Sequence, residues 1–294
     1  MNVFPAQAGG ALPFSRVKMA EGRVEVGAQI KTYEGGMGSG DLVHVSEGGS
    51  PDVVDIVIGD VAGKSATADP VRMMVLTILD GAAVRRTKQA SPSASAPLAT
   101  LDRQLNHLAD RGVLATPPET TGAELAAATD VTDLKPAQLN AASVALARLN
   151  TKTGGLHFAR AGDVGRGLII WRKANNTIER HDFTGLRGNI VGSYEPHGLK
   201  SKGTYSTGLV PPSDIVLTMQ PGDMAMMETD GVPLRKDRMP KVGESLPVAR
   251  SSARDWNLKT FASWMTDPKP EFEGEPAGHL ADDTGLVVWR YDGP

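Results

Sequence analysis

Between residues 52 and 59 the chain runs almost without polar interruption through Val53, Val54, Ile56, Val57 and Ile58. A short run of β-branched residues of this kind predicts a strand buried on both faces. Ahead of it, residues 22–34 place Val24, Val26, Ala28 and Ile30 at alternate positions, the period of a half-buried strand. The period then changes. From Thr67 to Arg86, Val71, Met74, Val75, Ile78 and Leu79 recur at helical spacing. Asp69-Pro70 supplies that helix with a cap and a proline at the first helical position.

Residues 88–99, Lys-Gln-Ala-Ser-Pro-Ser-Ala-Ser-Ala-Pro-Leu-Ala, read as a linker. A short amphipathic helix follows through Leu101, Leu105 and Leu108, then a polar, proline-bearing stretch to about residue 137. Strand texture returns at 142–149, 155–161, 167–171, 178–182, 215–219, 224–228 and 284–289, with turn residues at hairpin-like intervals. A helical pattern survives between Ala253 and Trp264. Strands, then helices, then many strands predict an α+β sandwich with a surface excursion at about 87–137.

Composition narrows the function classes. A content of 40% hydrophobic and 22% charged residues supports a sizeable core, and a formal net charge of −3 without a basic stripe leaves no footprint for nucleic acid. Cysteine is absent, which excludes disulfides, zinc–thiolate sites and cysteine nucleophiles and fits a reducing compartment. Met1 to Phe14 lacks the basic start and continuous apolar run of a signal peptide, and no segment is long enough to span a bilayer. The expectation is a cytoplasmic protein with neither a nucleic-acid nor a membrane partner.

The candidate chemistry lies in acids at strand ends. Asp60 closes the buried run beside Gly59 and Gly63. Asp41 stands in Gly38-Ser39-Gly40-Asp41-Leu42-Val43, and Asp230 in Glu228-Thr229-Asp230-Gly231-Val232. Asp282-Asp283 precede the strand Leu286-Val287-Val288-Trp289. Each alone reads as a turn or loop acid. Brought together by neighbouring strand ends, four carboxylates repel unless cations sit among them. Oxygen-only donors select magnesium or manganese over zinc, and the six histidines show no ligand spacing. Gly59 to Ser65 imitates a phosphate-binding loop. Only three residues separate its glycines where that motif needs four, and one of the three is an acid.

In these residues the sequence resembles the PPM-type, protein phosphatase 2C-like metal-dependent serine/threonine phosphatases, in their bacterial RsbU/SpoIIE-like branch. The matching blocks, in the family's order, are Ser39-Gly40-Asp41, Gly59-Asp60-Val61-Ala62-Gly63-Lys64-Ser65, Ala161-Gly162-Asp163, Pro221-Gly222-Asp223 leading to Thr229-Asp230-Gly231-Val232, and Asp282-Asp283-Thr284-Gly285. The resemblance implies a four-layer αββα sandwich of two antiparallel sheets flanked by helices. It implies a single domain over residues 15–292, behind an N-terminal extension of residues 1–14. It also implies two Mn2+ or Mg2+ ions, with Asp60 bridging both and the Val61 carbonyl ligating one. Asp230 and Asp282 would hold the metal on one side and Asp41 would act on the other, partly through water. Asp283 ranks below Asp282, since relatives admit an amide there.

The activity so implied is a phosphoserine/phosphothreonine protein phosphatase using metal-activated water, with Asp60 and Asp230 at its catalytic centre. Its substrate would be a phosphorylated regulatory protein such as an anti-sigma-factor antagonist. The chain departs from the family pattern at His44, where relatives carry an acid, at Asp163 in place of histidine, and at Ser65 in place of glycine. None of these removes a core ligand. The excursion lies where relatives make substrate and regulatory contacts. By position, Arg16 and Lys18 are candidates for a phosphate clamp. A reading from a different class is a catalytically silent binding module that retains the sandwich in a partner-switching pathway. The residues leave the oligomeric state open.

Overall fold

A computed structural model describes residues 3–4, 12–32, 39–48, 50–61, 68–85, 93–110, 142–162, 164–182, 214–253, 255–266 and 283–294. The strands are β1 (Leu12–Met19), β2 (Val24–Lys31), β3 (Asp41–Glu47), β4 (Val53–Val61), β5 (Ala142–Asn150), β6 (Gly155–Ala161), β7 (Leu168–Arg172), β8 (Thr177–His181), β9 (Ile215–Thr218), β10 (Met224–Glu228), β11 (Ser245–Pro247) and β12 (Thr284–Tyr291). They form a seven-stranded sheet ordered β1-β2-β12-β10-β7-β8-β11 and a five-stranded sheet ordered β3-β4-β5-β6-β9. Every strand pair is antiparallel. The helices are α1 (Ala68–Arg85), α2 (Ser95–Asp110), α3 (Arg250–Ala253) and α4 (Leu258–Met265).

Alternation along the strands sorts side chains into three apolar layers. In β4, Val54, Ile56 and Ile58 enter the core between the sheets beside Val26, Val287 and Trp289, whereas Val57 and Val61 turn the other way to meet Val75 and Leu79 of α1. Burial on both faces is what the unbroken apolar run predicts. Over the outer face of the seven-stranded sheet, Leu258, Phe261 and Met265 of α4 cover Ile169, Met226 and Val288. The fold is therefore α+β, with two antiparallel sheets back to back and helices outside each.

Two segments differ from the sequence reading. β1 begins at Leu12, inside the stretch expected to be an extension, and Val3 N–H donates to Val45 O at 2.9 Å. The pairing of β1 with β2 shifts register between Leu12 and Ser15, and that irregularity breaks the period-two pattern that would have revealed the strand. α2 starts within the Ser/Pro/Ala stretch, with Pro97 tolerated in its first turn. Leu98, Leu101 and Leu105 are fully buried in the layer outside the five-stranded sheet, so this part of the expected surface excursion belongs to the core. Residues 111–137 lie outside the described residues.

The start of α2 is held from elsewhere in the chain. Asp214, just before β9, accepts the N–H groups of Ala94 and Ser95 at 2.9 Å each, and lies 3.2 Å from Nδ1 of His157. Arg148 of β5 grips Asp55 of β4 through two 2.7 Å hydrogen bonds and donates a third, of 3.0 Å, to Ser93 O. Burial alone would raise the Asp214 pKa, but hydrogen bonds from Ser93, Ser95, Ala94 and His157 outweigh it and hold the carboxyl below its ordinary value. A depressed carboxyl stabilises the fold above the ordinary carboxylate range, and that contribution is lost as pH falls through the folded-state value. Asp214→Ala should therefore lower stability near neutral pH by about 1–2 kcal/mol. In urea unfolding followed by circular dichroism, the deficit relative to wild type should shrink as pH drops below about 4.

Candidate metal centre

The acids meet at one end of the sandwich because strand register puts them there. Asp60 shares the β4 face of Val54, Ile56 and Ile58, and Asp41 shares the β3 face of Val43 and Val45; both are inter-sheet faces. Asp41 and Asp60 are direct register partners. Val61 N–H donates to Gly40 O at 3.1 Å, which makes Asp41–Asp60 the adjacent, non-hydrogen-bonded kind of pair. In such pairs the side chains approach most closely, and like charges there destabilise. Asp41 is only 2% exposed, and Asp60 is half-buried.

The opposite sheet contributes at the same end. Thr229 follows β10 in phase with Ala225 and Met227, and Asp283 precedes β12 in phase with Gly285, Val287 and Trp289. The Thr229 hydroxyl donates to Asp41 Oδ2 at 2.9 Å. Gly40 N–H donates to Asp283 Oδ2 at 2.9 Å. Two hydrogen bonds therefore cross between the sheets and tie the β3 turn to the ends of β10 and β12. Asp230 is exposed in the turn closed by Val232 N–H donating to Thr229 O at 3.1 Å. Val61 is buried in the outer layer. Asp282, like Asp163 and Ser65, lies outside the described residues.

Among the described residues, no three acidic or histidine side chains converge closely enough to hold a metal ion. The donor chemistry nonetheless fits a hard cation: Asp41 and Asp60 are carboxylates facing one another, with Asp230 and Asp283 on the adjoining strand ends. His44 sits on the other face of β3, where its Nε2 lies 2.9 Å from Asp80 Oδ1 of α1. Burial lowers its pKa, against the pull of Asp80. His44 thus braces a helix from the side of β3 away from the acids.

The phosphate-clamp candidates are displaced from this end. Leu12 and Gly285 both pair with Ile30 at the site end, whereas Arg16 pairs with Gly27 and Lys18 with Glu25. Measured along β2, their partners lie roughly 10 and 17 Å from Ile30, and Arg16 contacts Glu25 at 3.6 Å. Regular strand rise carries both away from the acids.

Sequence reasoning passed over Thr229 and Gly285, although both lie within blocks singled out for their aspartates. It also passed over Glu228, which is buried on the other face of β10. Glu228 Oε1 accepts the N–H of Arg166 at 2.7 Å, and the Arg166 guanidinium donates to Val232 O at 3.1 Å, in the turn that carries Asp230. Gly165 adopts φ +60°, and a Cβ there would lie 1.9 Å from Glu228 O, so only glycine lets this loop lie against the strand. Burial pushes the Glu228 carboxyl up to about 7, although the Arg166 N–H and the charges of Arg166 and Arg180 favour ionisation. A raised carboxyl makes the folded state bind more protons than the unfolded one, so stability falls as pH rises from about 4.5 to 7. The metal-free protein should lose up to roughly 3 kcal/mol between pH 5 and pH 8 from this group. Glu228→Gln should flatten that part of the profile in denaturant titrations.

Solved structures similar to this one include RsbX in complex with magnesium, at 9% identity and a TM-score of 0.54, over 95% of this chain and 99% of that one. A second is the PP2C phosphatase domain, with a fragment of the regulatory domain, of the cell fate determinant SpoIIE from Bacillus subtilis. It matches at 15% identity and a TM-score of 0.52, over 92% of this chain and 63% of that one. At such identities these likenesses establish the fold. No curated protein matches the sequence significantly. The family described as Stage II sporulation protein E (SpoIIE) matches residues 50–292, a span that includes Asp60, Asp230 and both Asp282 and Asp283. With its fold and most of its length in agreement, the chain belongs to the SpoIIE family of PP2C-like phosphatase domains.

Proposed function

We propose that this protein is a metal-dependent phosphoserine/phosphothreonine phosphatase acting on a phosphorylated regulatory protein, such as an anti-sigma-factor antagonist. The observation that carries the reading is the directly opposed Asp41–Asp60 pair, closed over by Thr229 and Asp283 from the other sheet. Family membership supports the reaction class, and RsbX, a neighbour in fold, is a protein that binds magnesium. In this reading Asp60, the Val61 carbonyl, Asp41, Asp230 and Asp282 hold two Mn2+ or Mg2+ ions. When bound, such ions supply Lewis acidity and a water acidic enough to act as nucleophile near neutral pH.

The chain's own groups have distinct tasks. Asp60 carries the negative charge that draws cations into the seam, and Asp41 presents a carboxylate already oriented by protein hydrogen bonds. Asp283 accepts from Gly40 N–H and so clasps the glycine turn. Asp230 stands at the exposed rim, where an incoming phosphoprotein can reach it. With no cysteine in the chain, a thiol nucleophile plays no part.

The rival reading, a catalytically silent binding module, draws on the lack of any three converging donors among the described residues. Calorimetric Mn2+ titration beside hydrolysis of p-nitrophenyl phosphate and a phosphoserine protein separates the two. The phosphatase should bind Mn2+ and turn over, and Asp60→Asn should lose turnover by several orders of magnitude while remaining folded. Unchanged Mn2+-dependent turnover in Asp60→Asn would overturn the assignment. Weak Mn2+ binding without turnover in the wild type would establish the silent module.

A further inference from the structure

We infer that Thr229 is a positioning residue that fixes the orientation of Asp41 for metal binding, an inference resting on the phosphatase reading. Thr229 is fully buried, and its hydroxyl oxygen accepts the N–H of Gly285 at 2.8 Å. The hydroxyl proton must therefore point elsewhere. Among the described residues, its two possible acceptors are Asp41 Oδ2 at 2.9 Å and Gly285 O at 3.5 Å. Gly285 O already takes the Thr229 N–H at 2.9 Å. Distance and charge both direct the proton to Asp41. The hydroxyl is thus committed as a donor to the side chain of Asp41.

The geometry admits little slack. Threonine is stiff at χ1, which holds its oxygen between the two partners. A Cβ on Gly285 would lie 3.1 Å from Thr229 Cγ2 and 3.2 Å from Asp41 Oδ2, so these three residues interlock. Asp41 comes from the five-stranded sheet, and Thr229 and Gly285 from the seven-stranded one. The bond that orients the carboxylate is also a bond between the sheets, so sheet spacing sets the position of Asp41. Groups that orient metal ligands in this way change affinity by roughly 10- to 100-fold when lost.

The full chain, freed of metal, serves for the test, with Thr229→Val, Thr229→Ser and Gly285→Ala compared with wild type. The measurements are Mn2+ affinity by calorimetry, melting by circular dichroism, and the Mn2+ concentration for half-maximal hydrolysis of p-nitrophenyl phosphate. Thr229→Val should weaken Mn2+ binding by roughly 10-fold or more and raise the half-activating concentration equally, with kcat largely recovered at saturating metal. Thr229→Ser should bind within a few-fold of wild type. Gly285→Ala keeps every donor but crowds Asp41, and should weaken binding by less than Thr229→Val.

A folded Thr229→Val that binds Mn2+ like wild type overturns the inference, and so does a Thr229→Ser as weak as Thr229→Val. If Thr229→Val fails to fold, Gly285→Ala decides, and wild-type affinity there overturns the inference. A wild type that neither binds Mn2+ nor turns over removes the phosphatase reading, and this inference with it. That outcome is distinct from a failure confined to the Thr229 variants.

Discussion

Two carboxylates directly opposed on adjacent strands, in a seam between two sheets, are the constraint around which this end of the molecule is built. Asp41 and Asp60 face inward where water is scarce, and their mutual repulsion works against the sandwich. Such a pair is tolerable where hydrogen-bond donors or cations compensate it. One donor comes from the other sheet, where Thr229 reaches Asp41, and Gly40 in return reaches Asp283. The acidic end thus brings like charges together at a place where the sheets are cross-linked by polar bonds.

The surrounding structure carries the cost of that arrangement. Three apolar layers, one between the sheets and one outside each, bury most of the large aliphatic side chains in the strands. Polar clasps lie where these layers end. Arg148 ties β4 and β5 to Ser93 at the start of α2, Asp214 caps the same helix, and His44 meets Asp80 of α1 on the far side of β3 from Asp41. The helices outside the five-stranded sheet are therefore coupled to the two strands that carry Asp41 and Asp60. A second set of contacts, from Glu228 through Arg166 to Val232, holds the turn that carries Asp230.

Family membership accounts for the shared fold. His44 makes a helix contact without touching the inter-sheet face, because alternate strand residues point to opposite sides. The same alternation explains why two neighbours on one strand end, Glu228 and Thr229, serve different tasks. One is sealed against a glycine-rich loop, and the other spans the seam.

Most of the element order (though neither β1 nor β11), the doubly buried β4 and the acids at strand ends were legible in the sequence, since apolar period and turn chemistry are local properties. β1 was hidden by a register shift, and the true extent of α2 by a Ser/Pro/Ala composition that resembles a linker. Only the tertiary structure decided that Asp41 and Asp60 are register partners, that Asp283 clasps Gly40, and that Thr229 orients Asp41. It also moved Arg16 and Lys18 away from the site. Period-two alternation says which face a residue occupies, but register and sheet packing fix which distant residue it meets, and those depend on contacts between residues as many as 243 positions apart.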